Sequence, residues 1–436
     1  MNPATCAPGL RATLRELFGR SGAYRTVLLA VLVVGVAIRV ALVTNAHAAL
    51  LSDARDYYEL ARSLTEGRGY EQFYVGETEA FNEFTFRAFR PPGYPVFLAG
   101  LRYVAGWRPV VGLAANVVVD LLTQLCFVLI ACRVFGRGSA LIVAVLLTIH
   151  VVWTPSLMSE ALYTALFAVL ALLLVFRIAD GSIIGAILFG LVMGAALFTR
   201  PITVCVLPLL VWHMLGQHSL KRGGVLLLLA VVPSAVGITL WGARNQRLFG
   251  QFVPLTTNLG HHNAWDYGLH ADRVFAHLRG EGLNEAEIND VFLALEWEFV
   301  RKHPGTWVLM CLGRARDLFS LEPPPELRQV LWKRTFDCGS DGSLIGRIYR
   351  AAYSQYYITY VLAGLGVCVL AVRRHSVGGL WVVLVAYIVV HALVSRGDVR
   401  LVAPLYPIMC VLAAGTWWAV RGRAASTDGE APADAQ

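Results

Sequence analysis

The sequence predicts an all-α polytopic membrane protein, and three observations carry that expectation. Apolar residues make up 57% of the 436 and charged residues 15%, against roughly 45–50% and 25% in soluble domains. Apolar runs of about 20 residues recur along the chain, the length a helix needs to cross a bilayer. The basic residues, 34 Arg and 3 Lys, gather at alternate ends of those runs. This composition excludes an ordinary soluble enzyme, and it excludes a disordered chain, which would be charge-rich and poor in apolar residues. The net charge of +8 is then a topology signal and not a sign of nucleic-acid binding.

Ten spans are expected, at about 26–46, 110–132, 139–157, 161–178, 182–199, 201–216, 224–243, 353–372, 378–394 and 401–420. A polytopic domain over 26–420 follows, with a cytoplasmic segment 1–25 and a disordered cytoplasmic tail 421–436. With ten spans, Arg11, Arg15, Arg20, Arg25, Arg133, Arg137, Arg177, Lys221, Arg222, Arg373, Arg374, Arg421 and Arg423 all fall on one side. The positive-inside rule makes that side the cytoplasm, of a cell inner (plasma) membrane. The first run is too long for a signal h-region and lacks an A-x-A site, so it is expected to be retained.

The outer regions are then about 47–109 and 244–352. They hold 21 of the 29 acids, within 53–90, 266–298 and 317–341. Residues 291–320 have an apolar centre at 307–312, but Glu296, Glu298, Arg301, Lys302, Arg314, Arg316 and Asp317 flank it. Spanning there would put Arg373 and Arg374 outside, so helices on the outer surface are expected instead. Any chemistry is expected outside, away from cytoplasmic nucleotides. The sequence agrees: it has no GxxxxGK[ST], GxGxxG, HExxH or DxD motif. The eight cysteines form no CxxC pair, which argues against a zinc or redox motif, and Cys311 is not expected to bridge Cys338.

In the first outer loop, Ser52 or Asp53 is a good N-cap. Tyr57, Leu60, Ala61 and Leu64 follow at helical spacing, and Gly67 and Gly69 end the helix. Asp53, Asp56 and Tyr57 share a face of this amphipathic helix at the mouth of the bundle. A carboxylate there suits a general base as well as it suits a cap. The prolines of 89–95 hold Arg90 at the membrane surface before an interfacial helix at 94–106. A planar guanidinium there can meet a phosphate oxygen or simply stand at the surface.

Further on, Glu160 closes span three, where it either binds substrate or favours the first turn of span four. His261 and His262 are adjacent and point different ways, which disfavours a metal site. Trp265 and Tyr267 suit sugar stacking or interfacial anchoring. Asn116, Asp120 and Gln124 recur every four residues inside span two, so that stripe must face protein. It supports an alternative reading, a secondary transporter with an intramembrane acid. Another alternative is a polysaccharide polymerase or ligase working on a lipid carrier.

The pattern Asp-x-x-x-Tyr-x-x-x-Ala-x-x-Leu from Asp53, followed by ArgProProGlyTyrPro at 90–95, resembles the GT-C membrane glycosyltransferases. Its nearest likeness is to the bacterial branch of protein O-mannosyltransferases and aminoarabinose transferases. ProSerLeuMetSerGlu (155–160), ThrArgPro (199–201), TrpGlyAlaArgAsnGlnArgLeuPheGly (241–250), ArgLysHisProGly (301–305) and Arg400 with Pro404 and Pro407 continue the pattern in order. Leu401 departs from it, standing where an aromatic usually follows the arginine. So does the end of the chain 16 residues past span ten, which speaks against an oligosaccharyltransferase-type member.

The resemblance implies a sugar donor on a polyprenyl phosphate and a lipid, glycan or protein acceptor, with transfer to a hydroxyl on the extracytoplasmic face. It implies that Asp53 is the general base of an inverting displacement. It implies donor-phosphate binding by Arg90, Arg244, Arg400 and Arg200, with Asp56, Tyr57, Tyr94 and Glu160 at the substrate. No cofactor and no resident metal site is expected, though a divalent cation is compatible with the acids. No nucleic-acid partner is expected.

Overall fold

The computed structural model describes residues 9–19, 22–45, 53–74, 84–106, 108–148, 150, 156–176, 182–264, 267, 270–319, 344–372, 380–394 and 399–427. Helices stand at all ten expected span positions: α2 Gly22–Asn45, α5 Pro109–Phe135, α6 Arg137–Thr148, α7 Ser159–Val175, α8 Ile183–Thr199, α9 Leu207–Gln217, α10 Leu220–Phe249, α15 Leu344–Val372, α16 Leu380–Val394 and α17 Tyr406–Thr427. The protein is an all-α multi-pass membrane protein.

Four of these helices are both long and apolar enough to cross a bilayer unaided, at Gly22–Thr44, Pro109–Phe135, Leu220–Phe249 and Gln355–Val372. Others are shorter because of local sequence. Pro201 and Pro208 replace the start of the sixth with a 3-10 turn, Pro201–Val206, ahead of α9. In contrast, α17 continues past 420 to Thr427, through residues with good helix propensity such as Arg421, Arg423 and Ala424. The rest of the expected tail lies outside the described residues.

Phe127, Tyr163, Phe189, Tyr387 and Tyr406 are among the side chains fully buried between the helices. Val33, Ile184, Leu240 and Val361 point outward and are exposed. A bundle with an apolar outside belongs in a lipid solvent. Inside, Arg39 of α2 donates Nε to Asp120 at 2.6 Å, and its other nitrogens reach the carbonyls of Gly35, Leu147 and Thr148. Asn116, Asp120 and Gln124 are all buried, so the polar stripe of span two faces protein.

The two ends of the bundle carry different elements. At one end Tyr24 donates to the Arg137 carbonyl at 2.9 Å, with the Arg137 guanidinium over its ring, and Ser139 bonds the Ala414 carbonyl. An amphipathic helix α1, Leu10–Phe18, lies within the N-terminal segment, with Leu17 fully buried in the bundle core. Its signal is the spacing of Leu10, Leu14, Leu17 and Phe18.

At the other end stand α3 Asp53–Thr65, a two-stranded ribbon of β1 Gln72–Tyr74 and β2 Phe84–Phe86, and α4 Gly93–Ala105. Gly67 and Gly69 close α3 with positive φ, as expected. Residues 244–352, expected as the second outer region, contribute α11 Leu259–Ala264, α12 Ala271–Gly280, α13 Glu285–Lys302 and α14 Pro304–Leu318. The charged stretch around 291–320 therefore forms two helices, neither of them long and apolar enough to span. Phe84, Phe86 and Phe89 pack with Phe275, Ile288 and Phe292, joining these two distant segments into one small core.

Candidate active site

Five chain segments meet at the end of the bundle that carries α3 and α4. The first is the N-terminus of α3. Asp53 and Asp56 occupy its first turn, where the positive end of the helix dipole favours a carboxylate. Both are buried, as is Tyr57. Burial is possible because Arg90, from the segment before α4, inserts between the two acids. Its Nη2 lies 2.7 Å from Asp53 and 2.8 Å from Asp56, and its Nε lies 3.0 Å from Asp56. Gln72 of β1 donates to the other Asp56 oxygen at 2.5 Å.

With both acids ionised, the trio carries one uncompensated negative charge. Burial raises the Asp56 carboxyl above its ordinary value; Arg90 opposes this and the charge on Asp53 adds to it. The two acids hold the Arg90 guanidinium firmly protonated despite its burial.

Tyr57 and Tyr94 meet edge to face at 5.2 Å, and Tyr94 donates to Asn116 at 3.3 Å. Tyr57 also carries the cluster across to the next segment. Its hydroxyl donates to Ser159 at 3.3 Å, and Arg200 Nε donates to the same oxygen at 3.2 Å. Arg200 Nη2 pairs with Glu160 at 2.5 Å. Glu160 sits in the first turn of α7, and Arg200 ends α8. α4 reaches this point because residue 93 is glycine: a Cβ there would meet Thr199 Oγ1 at 2.6 Å and the Phe198 carbonyl carbon at 2.7 Å.

Arg244 sits a step away on the extension of α10. It stacks over Trp241 at 4.5 Å and lies 5.7 Å from the Tyr70 ring centroid. It donates to the carbonyls of Arg87 and Tyr70 and to Asn245. Tyr70 in turn donates to the Arg90 carbonyl at 2.8 Å, so Arg244 touches the same loop that carries Arg90.

Of the expected site residues, Asp53, Asp56 and Arg90 form one ion cluster, and Tyr57, Glu160 and Arg200 form a hydrogen-bonded chain through Ser159; the two meet where Arg90 lies 5.9 Å from the Tyr57 ring centroid. Tyr94 and Arg244 border it, and the Arg400 side chain lies outside the described residues. Among the described residues, no group of three or more His, Cys, Asp or Glu side chains could hold a metal ion. His261 lies 3.3 Å from Asp272, inside a ring of Phe89, Phe275 and Phe292. Tyr267 donates to Glu296 at 2.8 Å, and Trp265 lies outside the described residues.

Sequence reasoning missed Gln72, Ser159, Glu285 and Arg39. Arg39 left a signal, a lone charge inside an apolar run. Gln72 and Glu285 left none, because their roles depend on contacts between distant segments.

The arrangement can accept a proton at a buried carboxylate pair and offers guanidinium groups to an anion nearby. No family model and no curated protein matches the sequence. The chain path is similar to that of a solved structure. The oligosaccharyltransferase of Archaeoglobus fulgidus in the apo form is 13% identical with a TM-score of 0.54, over 92% of this chain and 51% of that one. The same enzyme tethered with an acceptor peptide is 12% identical with a TM-score of 0.49, over 93% and 51%. ArnT of Cupriavidus metallidurans bound to undecaprenyl phosphate is 14% identical with a TM-score of 0.39, over 94% and 80%. The chain spans about half the length of the oligosaccharyltransferase it matches.

Proposed function

We propose that this chain, whose fold is that of the GT-C superfamily, moves a sugar from a polyprenyl-phosphate donor to an acceptor hydroxyl on the extracytoplasmic face of the membrane. The observation that carries this reading is the buried Asp53–Arg90–Asp56 cluster, whose guanidinium lies 5.9 Å from the ring centroid of Tyr57, beside the hydrogen-bonded chain from Tyr57 through Ser159 to Arg200 and Glu160. A membrane mouth holding both a proton acceptor and anion-binding groups suits a reaction that takes a hydroxyl proton and releases a phosphate.

In the proposed step the acceptor oxygen attacks the anomeric carbon, its proton passes to Asp53, and the sugar–phosphate bond breaks. The polyprenyl phosphate leaves with the bonding electrons. Attack opposite the leaving group inverts the anomeric centre. Asp53 is favoured over Asp56 because it lies four residues before Tyr57, the place of the acid in the pattern the sequence resembles, and Gln72 and Arg90 hold Asp56. Asp56 then holds Arg90 in place, and Arg90 keeps both acids buried. Arg200, Arg244 and Arg400 are assigned to the growing negative charge on the phosphate. Arg90 was expected among them, but its observed partners are carboxylates, so it is assigned to positioning. The acceptor is a lipid, glycan or protein hydroxyl; the reading requires no cofactor and is compatible with a divalent cation at the acids.

The test is a mass-spectrometric comparison of glycolipids and glycoproteins between a deletion strain and its parent. The reading requires one sugar-modified product to vanish and a sugar-phosphate polyprenol to accumulate. An unchanged envelope glycome would overturn it.

A further inference from the structure

Residues 87–92 form an irregular segment that is nonetheless buried at Ala88, Phe89 and Arg90. Buried backbone outside regular structure must find hydrogen-bond partners elsewhere. Here they come from distant parts of the chain. Arg244 of α10 donates to the Arg87 carbonyl, Thr257 N–H to the Ala88 carbonyl, and the Tyr70 hydroxyl to the Arg90 carbonyl. Two donors, the amides of Arg87 and Ala88, share one acceptor group. Glu285 Oε2 accepts from Arg87 N–H at 3.1 Å, and Glu285 Oε1 accepts from Ala88 N–H at 2.6 Å.

Glu285 is the first residue of α13 and is 3% exposed. It is not needed to start that helix. Asn284 and Glu287 already form a complete capping box. A charged side chain buried in the outer subdomain, with both oxygens aimed at another segment's backbone, is there for that segment.

We propose that Glu285 is a positioning residue: its carboxylate clamps the Arg87–Ala88 backbone and thereby delivers Arg90 to Asp53 and Asp56. Its catalytic consequence rests on the function proposed above; the clamp itself does not. The second outer region thus controls the first, although the acids of the site all precede residue 161. The clamp is also sensitive to acid. Burial raises the Glu285 carboxyl to about 7, opposed by the two amide bonds and then by Arg244 and Arg87. The groups facing it are Arg87, Arg244 and Tyr70, with Glu71 paired to Arg87 at 3.0 Å. Ionised Glu285 is the strong acceptor, so the clamp is tight above this range and loosens as pH falls through it.

Hydrogen–deuterium exchange of the full-length protein in lipid nanodiscs tests the clamp directly. Glu285→Gln and Glu285→Ala should speed exchange in peptides covering 84–92 by about tenfold or more, since two charge-assisted bonds are weakened or lost. Peptides from the body of α13 should be unchanged, and Glu298→Gln, on the exposed face of the same helix, should match wild type throughout. After correction for chemical exchange, wild-type 84–92 should also loosen between pH 8 and pH 6, and Glu285→Gln should not. Wild-type protection of 84–92 in both variants would overturn the clamp, whatever the protein's activity.

Transfer kinetics test the consequence separately. Glu285→Gln should lower kcat with little change in donor KM and should abolish the pH–rate limb near 7. Faster exchange with an unchanged kcat and an unchanged limb would refute the delivery of Arg90 while leaving the clamp standing.

Discussion

Replacing Arg90 with Gln removes the guanidinium that lies between Asp53 and Asp56 and leaves two buried carboxylates one helical turn apart. Stranding a buried charge by deleting its partner costs about 3–5 kcal/mol. The protein has a way to reduce that cost. Asp56 already has a raised pKa through burial and the neighbouring Asp53 charge, and Arg90 is what restrains it. Without Arg90 its pKa climbs further, and protonation relieves the repulsion.

A carboxyl whose folded pKa lies above its ordinary value stabilises the fold most when protonated. That stability is lost as pH rises from the ordinary value through the folded one. In Arg90→Gln the window of loss therefore extends to higher pH than in wild type. The destabilisation should therefore be smaller at pH 5 than at pH 8, changing by up to about 1.4 kcal/mol per pH unit inside the window. Asp56→Asn leaves the Arg90–Asp53 pair intact and should cost only about 1–3 kcal/mol. The assay is thermal unfolding of the purified variants in detergent, followed by tryptophan fluorescence at pH 5, 6.5 and 8. A deficit for Arg90→Gln that is the same at every pH would refute the shared-guanidinium account.

Two other expectations follow from the structure. Asp120→Leu should destabilise by about 3–5 kcal/mol because it strands Arg39, whereas Arg39→Met with Asp120→Leu should recover most of that loss; equal instability of the single and double variants in the same thermal assay would contradict a structural role for the pair. His277→Cys, on the exposed face of α12, should react with an impermeant maleimide added outside intact cells; labelling only after permeabilisation would invert the topology.

The spans were legible because a bilayer imposes a length and a polarity that composition alone reveals. The ends of α3 were equally legible, from the acids of its first turn and from Gly67 and Gly69. Local rules sufficed there. They did not suffice for the partners of Arg90. The sequence placed Arg90 at the membrane surface, with phosphate or simple exposure as its two readings, and nothing near it announced that Asp56, itself held by Gln72, would take its guanidinium or that the Tyr70 hydroxyl would take its carbonyl.

The Arg39–Asp120 pair shows a different limit. A polar stripe said that span two faces protein, but an ion pair between helices 81 residues apart in sequence needs the packing of α2 on α5 and α6. Glu285 lay furthest from reach. It looks like one more acid at a helix start until the segment 198 residues earlier is set against it.

In the proposed reaction Asp53 takes the acceptor proton in a sugar transfer from a lipid carrier. Purified protein in liposomes, supplied with polyprenyl-phosphate sugars and an acceptor extract, measures this most directly when Asp53→Asn is compared with wild type at equal abundance. Asparagine keeps the size of the side chain, so folding should survive, and loss of a positioned base should lower turnover about 10²–10⁴-fold. Near-wild-type transfer by a folded Asp53→Asn protein would contradict the account, and loss of transfer in Asp56→Asn alone would move the base one helical turn along α3.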